Sequence, residues 1–149
     1  MKLLHEEHST SKIYITGNSL GGAMSTLAAI DIHKNVAPID TFYSFEAPRV
    51  GNKKFADYVN QLLPGSIRIT HYKDIVVHLP PRIPLVGYYH SKTEVWYNEA
   101  FTEYTICPDD GESPNCADKY PLASSIKDHI TLFGMNSGCD KQQDEMIDM

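Results

Sequence analysis

Apolar positions in the first half of the chain change repeatedly between strand-like and helix-like spacing. Short apolar segments with β-branched residues predict strands at 12–16, 40–47 and 66–72. Between them, apolar residues recur every three or four positions over 20–34 and 53–63, which predicts two amphipathic helices. The order strand, helix, strand, helix, strand is typical of a mostly parallel sheet with crossover helices. We therefore expect an α/β fold.

The second half has a different pattern. Residues 94–97 and 101–107 predict the two strands of a hairpin, and residues 108–121, which are rich in turn-forming residues, predict a loop. A short helix is expected within residues 122–133. The last ten residues, 140–149, are polar and acidic, and we expect them to be mobile. No internal repeat is found, so the whole chain is expected to form a single domain.

Composition narrows the possible functions. The 149 residues are 42% hydrophobic and carry a formal net charge of −6, and no basic patch is present, which argues against nucleic-acid binding. No window approaches eighteen uninterrupted apolar residues, so no transmembrane segment is predicted, and the first residues lack the apolar core of a signal peptide. The odd number of cysteines (Cys107, Cys116 and Cys139) leaves a free thiol, an intermolecular bond or a partner outside this chain.

The turn between the first predicted strand and the first predicted helix reads Gly17-Asn18-Ser19-Leu20-Gly21. Gly-x-Ser-x-Gly is the signature of a nucleophile elbow, in which a strained turn exposes the serine hydroxyl. Gly17 and Gly21 are expected to be required, because only small residues fit where the strand and helix backbones pass close together. The alternative is a glycine-rich turn with an incidental serine.

A nucleophilic serine needs a base, and the base needs an orienting carboxylate. In this architecture the acid follows the serine in the chain, and catalytic groups lie at the carboxyl ends of parallel strands. Asp74 directly follows the third predicted strand and meets both conditions. Glu46 also ends a strand, but Ala-Pro follows it, so we interpret it as a polar group that supports the turn. Asp40 and Asp57 are expected to be solvated.

Seven histidines compete for the role of base, which must follow the acid in the chain. Four precede Asp74 and are excluded by that order: His5, His8, His33 and His71. His78 lies too close to Asp74 to return from another strand, and His90 is expected to be a packed or hydrogen-bonded loop residue. His129 remains. No His pair or Cys/His cluster has metal-ligand spacing, so no metal or other cofactor is predicted.

Five stretches together resemble one known family, the class 3 or fungal-type triacylglycerol lipases, which have an α/β-hydrolase fold. They are ITGNSLGGAMSTLAA, FYSFEAPRVGNKKFADYVNQ, IRITHYKDIVVHLPP, GYYHSKTEVWY and DHITLFG. The resemblance implies that Ser19 is the nucleophile, Asp74 the triad acid and His129 the triad base. It also makes the Leu20 backbone N–H an oxyanion-hole donor. Many family members have histidine where this chain has Asn18.

The same resemblance extends to the cysteines. It implies a short disulfide loop between Cys107 and Cys116, and it pairs Cys139 with a cysteine near the family's amino terminus, outside this chain. Disulfides imply an extracellular or lumenal protein.

The resemblance also sets the expected function. It implies a serine carboxylic-ester hydrolase that forms an acyl-enzyme on triacylglycerol or related lipid esters, with a lipid–water interface as a candidate place of action. The family's second oxyanion donor and its lid lie upstream of the elbow, so the chain is expected to be the carboxyl-terminal portion of the domain, with a partial fold. The alternatives are an incompetent fragment that binds lipid or a partner, and a feruloyl- or phospholipid-type esterase.

Overall fold

The computed structural model describes residues 1–83 and 87–136. The elements follow one another as α1 (Lys2–Glu7), β1 (Tyr14–Asn18), α2 (Leu20–Asn35), β2 (Thr41–Phe45), β3 (Gly51–Asn52), α3 (Lys53–Leu62), β4 (Ile67–His71), a 3₁₀ turn (Val76–His78), β5 (Tyr88–Tyr89), β6 (Glu94–Tyr97), β7 (Tyr104–Cys107), a second 3₁₀ turn (Ala117–Lys119), α4 (Ile126–Ile130), β8 (Thr131–Leu132) and β9 (Met135–Asn136). The predicted mobile tail and Cys139 lie outside the described residues.

A five-stranded sheet in the order β1-β2-β4-β6-β7 forms the centre of the fold. The first four strands are parallel, and β7 returns antiparallel to β6 as a hairpin. Helix α2 connects β1 to β2, and α3 lies between β2 and β4 along the chain. This arrangement confirms the predicted α/β class and the mostly parallel sheet. It brings the carboxyl ends of β1, β2 and β4 to one edge.

Several predicted boundaries were wrong because pairing and turns decide them. β1 starts at Tyr14 and runs through Gly17 and Asn18, since these two residues continue the parallel register with β2. β7 starts only at Tyr104, because the preceding residues form a turn in which the Asn98 side chain accepts a hydrogen bond from the Thr102 N–H. The predicted helix within 122–133 is the five-residue α4, followed by the β8–β9 hairpin.

Two apolar clusters pack on the sheet. One lies between the helices and the sheet and is made of Ala29, Phe42, Val59 and Leu63. The other lies under the disulfide loop and is made of Val77, Trp96, Cys107, Cys116 and Ala117. Within residues 1–83 and 87–136, no helix has the length and apolar character needed to cross a bilayer.

Residues 108–121, predicted as a loop, are held in place by one buried ion pair, a hydrogen bond from β4 and a disulfide. Arg49 contacts Glu112 through two hydrogen bonds of 2.8 Å each, and both side chains are buried. Arg68 contacts Glu94 at 3.3 Å and also donates to the Gly111 carbonyl. The structure also joins Cys107 to Cys116 by a disulfide.

Candidate active site

Ser19 occupies the turn between β1 and α2 in a strained backbone conformation. Its φ is 54° and its ψ is −126°, a region that residues with a side chain seldom adopt. The turn is closed by a hydrogen bond of 2.9 Å from the Ser19 N–H to the Phe45 carbonyl at the end of β2. The serine hydroxyl is thereby held at the edge where the parallel strands end.

The two glycines of the motif differ in how much space the fold leaves for a side chain. A Cβ added to Gly17 would lie 2.2 Å from the Gly21 carbonyl oxygen, so only glycine fits at Gly17. A Cβ added to Gly21 would meet nothing within 4 Å among the described residues, so the expectation that close backbones require Gly21 is wrong here. The next residue, Gly22, is the crowded one, because its added Cβ would lie 2.7 Å from the Cβ of Ala47.

Two hydrogen bonds connect Ser19, His129 and Asp74 in series. The Ser19 Oγ lies 2.8 Å from His129 Nε2, and His129 Nδ1 lies 2.9 Å from Asp74 Oδ2. With the proton on Nδ1, the ring donates to the carboxylate and Nε2 accepts from the serine hydroxyl. The sequence order selected these three residues, and the fold brings them into contact across separations of 110 and 55 positions.

The acid is fully buried and held by its own turn. Asp74 is 0% exposed, and its Oδ1 accepts a hydrogen bond of 2.7 Å from the Val76 N–H, which leaves Oδ2 for His129. The hydrogen bond from Asp74 raises the pKa of the His129 imidazole, and the nearby carboxyl charges add to this against the opposing effect of burial. The raised pKa makes His129 Nε2 a stronger proton acceptor, which is what a general base needs.

The loop of the acid and the helix of the base are joined through their backbones. Residues Asp74 and Ser125 form a parallel bridge, with the Ser125 N–H donating to the Lys73 carbonyl. The Ser125 hydroxyl then accepts from the Asp128 N–H and caps α4. These contacts place His129 directly beside Asp74.

Glu46 lies next to the triad, which the sequence interpretation did not anticipate. It is 0% exposed, has a positive φ of 50° that ends β2, and its Oε2 accepts a hydrogen bond of 3.0 Å from the Asn18 side chain. Its Oε1 has no hydrogen-bond partner among the described residues, and burial raises its pKa to about 8. A sequence signal existed, since Glu46 ends the strand adjacent to β1 and parallel strands end at one edge.

Glu46, Asp74 and His129 offer ligand atoms within 4.8 Å of one another, a spacing that a metal ion can use. Both oxygens of Asp74 are already engaged, by the Val76 N–H and by His129. Hydrogen bonding thus accounts for the cluster without an ion. The absence of a metal stays a prediction.

The other residues considered from sequence have defined places. His90 is buried, with its Nε2 2.7 Å from the Val77 carbonyl, in keeping with a hydrogen-bonded loop residue. Asp40 is exposed and accepts from the Ile13 N–H, and Asp57 forms an i,i+4 ion pair with Lys53. Leu20 is the first residue of α2, where backbone N–H groups have no intrahelical acceptor.

The sequence pattern of one family, described as lipase (class 3), matches residues 1–83. A lipase from Rhizopus niveus is 33% identical over 135 residues, covering 88% of this chain and 34% of the relative. A secreted mono- and diacylglycerol lipase from Fusarium solani is 35% identical, covering 87% of this chain and 40% of the relative.

The fold is also similar to that of a solved lipase structure. A triacylglycerol lipase, whose catalytic centre is described as a serine protease triad, superposes with a TM-score of 0.80 and 32% identity over 91% of this chain and 52% of that chain. The chain therefore spans a third to two fifths of the length of these curated relatives and about half of the solved one.

Proposed function

The chain belongs to the class 3 lipase family, and we propose that it is a serine hydrolase that cleaves carboxylic esters of lipids. The observation that carries this proposal is the pair of hydrogen bonds of 2.8 and 2.9 Å that connects Ser19 through His129 to Asp74. A buried acid, a base with a raised pKa and a serine in a strained turn are the parts that acyl transfer needs.

The reaction proceeds in two halves. The Ser19 Oγ attacks the ester carbonyl while His129 Nε2 takes the hydroxyl proton, and His129 then passes that proton to the leaving alkoxide. An acyl-enzyme and an alcohol result. Water attacks the acyl carbonyl with His129 again as base, and Ser19 leaves with the proton as the free acid is released. Asp74 holds the ring in the Nδ1–H tautomer and stabilises the imidazolium.

The negative oxygen of each tetrahedral intermediate needs hydrogen-bond donors. We assign the Leu20 N–H as one of them, because it follows the nucleophile and belongs to the free first turn of α2. A donor of this kind contributes about 10²–10³ in kcat.

Exposed apolar side chains favour a lipid ester over a polar one. Leu20 follows the nucleophile and is 67% exposed, and Ile126, three residues before His129, is 57% exposed. An acyl chain bound beside Ser19 can remove such surface from water, at about 25 cal/mol per Å². The Fusarium solani and triacylglycerol lipase relatives support the same substrate class. A lipid–water interface is the proposed place of action.

We further propose an extracellular or lumenal location. The Cys107–Cys116 disulfide supports it, as does the secreted Fusarium solani relative. In this proposal Cys139 pairs with a cysteine outside the chain.

Hydrolysis of p-nitrophenyl butyrate and palmitate, with and without emulsified lipid, tests the function. Substitution of Ser19→Ala is expected to lower kcat by about 10⁴-fold or more. The matched control Ser11→Ala, an exposed serine outside the site, is expected to keep full activity. Inactivity of the unmodified chain on both esters, or activity retained in Ser19→Ala, would overturn the proposal. Faster hydrolysis of palmitate at an interface is expected of a lipase, and indifference to chain length and interface would favour an esterase instead.

A further inference from the structure

Helix α4, which carries His129, is too short to be stable without contacts to the rest of the fold. α4 has five residues, far fewer than an isolated helix needs for stability in water. Its N-terminal end is fixed by the Ser125 cap and the bridge to Asp74. At the other end, the last four carbonyls of such a helix lack intrahelical partners and must find them elsewhere.

His71 supplies a partner at that end. It is the last residue of β4, it is 2% exposed, and its Nδ1 lies 2.7 Å from the carbonyl oxygen of Asp128, the residue directly before His129. With the proton on Nδ1, the ring donates this hydrogen bond. The end of β4, which also leads to Asp74, therefore holds the backbone next to His129 by a hydrogen bond.

Two neighbouring groups, the Glu99 carbonyl and the Phe101 ring, enclose the His71 ring. Its Nε2 lies 3.2 Å from the Glu99 carbonyl in the turn before β7, and its face stacks on Phe101 at 3.9 Å between ring centroids. Phe101 in turn contacts Phe133, which follows α4, at 5.1 Å. Since the ring has little freedom to move, the Asp128 carbonyl is held in one place.

We propose that His71 is a positioning residue of the triad, which sets the location of His129 through the hydrogen bond from its Nδ1 to the Asp128 carbonyl. This inference rests on the proposed hydrolase function. His71 touches neither Ser19 nor the substrate carbonyl; it acts only through the backbone of α4. The hydrogen bond to Asp128 carries the proposal, and the stack on Phe101 orients the ring, because Nε2 has no proton to donate to the Glu99 carbonyl when Nδ1 is protonated.

A pair of matched variants separates the two ring nitrogens. In His71→Asn the side-chain amide N–H replaces the ring Nδ1–H, and in His71→Gln it reaches the position of Nε2, away from the Asp128 carbonyl. We expect His71→Asn to react with a fluorophosphonate at Ser19 within about 3-fold of the unmodified rate. We expect His71→Gln to react about 10- to 100-fold more slowly, because a misplaced base is costly. Thermal unfolding of both variants reports on general stability.

A second readout does not depend on reactivity. The His129 Nδ1 proton, which is hydrogen-bonded to Asp74, is followed by NMR in both variants. It is expected to keep its shift and protection from exchange in His71→Asn and to lose them in His71→Gln. If the unmodified chain does not react at Ser19, the proposed function fails and the NMR comparison alone decides the role of His71. Equal behaviour of the two variants in both measurements, or losses that simply follow their melting temperatures, would overturn the inference.

Discussion

The two sides of the central sheet are held in different ways. On the side of β1 and α2, the apolar residues Leu20, Met24 and Leu27 recur along one face of the helix at 67%, 62% and 53% exposure. Among the described residues β1 pairs only with β2, so it forms an edge of the sheet. This side packs on the sheet through buried apolar residues such as Ala29 and leaves one apolar face of the helix exposed.

The side of β4, β6 and β7 is cross-linked. The buried pair Arg49–Glu112 and the hydrogen bond from Arg68 of β4 to the Gly111 carbonyl hold the 108–121 segment, and the disulfide closes the end of β7. The acid and the base belong to this side, whereas the nucleophile comes from the other. The triad thus spans one side that is cross-linked by an ion pair and a disulfide and another that packs through apolar contacts, and β2 joins the two.

The largest effect is expected from breaking a buried ion pair. Arg49→Met removes the two hydrogen bonds that neutralise the buried Glu112 carboxylate, leaving only the more distant Arg82, and it removes the donor to the Pro80 carbonyl. We expect the free energy of unfolding in urea to fall by about 3–5 kcal/mol. The control Lys53→Met breaks an exposed i,i+4 pair and should cost under about 0.5 kcal/mol. Similar losses in both variants would show that the buried Arg49–Glu112 pair holds its side no better than an exposed pair does.

Glu46, which follows β2 between the two sides, is expected to make the stability of the fold depend on pH. Its pKa is raised from 4.5 to about 8 in the folded chain, so the folded state binds more protons than the unfolded state between these values. Stability therefore falls as pH rises from about 4.5 to about 8, by an amount on the order of 4 kcal/mol. Glu46→Gln removes this fall, and the exposed control Glu103→Gln keeps it. Parallel pH profiles for Glu46→Gln and the unmodified chain would rule out a buried, protonated Glu46.

Removal of the disulfide is expected to have a smaller effect. The bond closes a loop with a sequence separation of 9, for which loop entropy predicts about 2–3 kcal/mol. The double variant Cys107→Ala/Cys116→Ala should show this loss in urea unfolding. Addition of a reducing agent should then not destabilise the variant further. A loss under about 0.5 kcal/mol would mean that the ion pairs alone hold this side.

The smallest effect is expected on the exposed face of α2. Leu27→Gln replaces an exposed apolar residue and should change stability by less than about 0.5 kcal/mol. The control Ala29→Leu, on the same helix but 0% exposed, should cost about 1–3 kcal/mol through overpacking. A large loss for Leu27→Gln would show that this face is packed against something in solution.

Local pattern and chain order were enough to predict the main parts of the site. Ser19 was found from the Gly-x-Ser-x-Gly spacing, and Asp74 and His129 were found from strand ends and order. The parallel strands and the long helices were also predictable, because their periodic apolar positions face a core. These features depend on residues near one another in the sequence.

Features that depend on distant contacts were not predictable. The two-residue strands β3 and β5 are too short to have a period, and they pair distant residues, Gly51 with Tyr89 and Asn52 with Tyr88. The burial of Glu46 and the hydrogen bond from His71 to the Asp128 carbonyl follow from packing between separate elements. His71 was excluded as a base by its order in the chain, which was sound, but that test says nothing about positioning.

The central claim is that Ser19 is a nucleophile activated by His129. The most direct measurement is treatment of the chain with a fluorophosphonate, followed by peptide mapping of the adduct. One adduct is expected, on Ser19; it should be lost in Ser19→Ala and form about 10³-fold or more slowly in His129→Ala. An adduct on another residue, or equal labelling of Ser19→Ala, would contradict it.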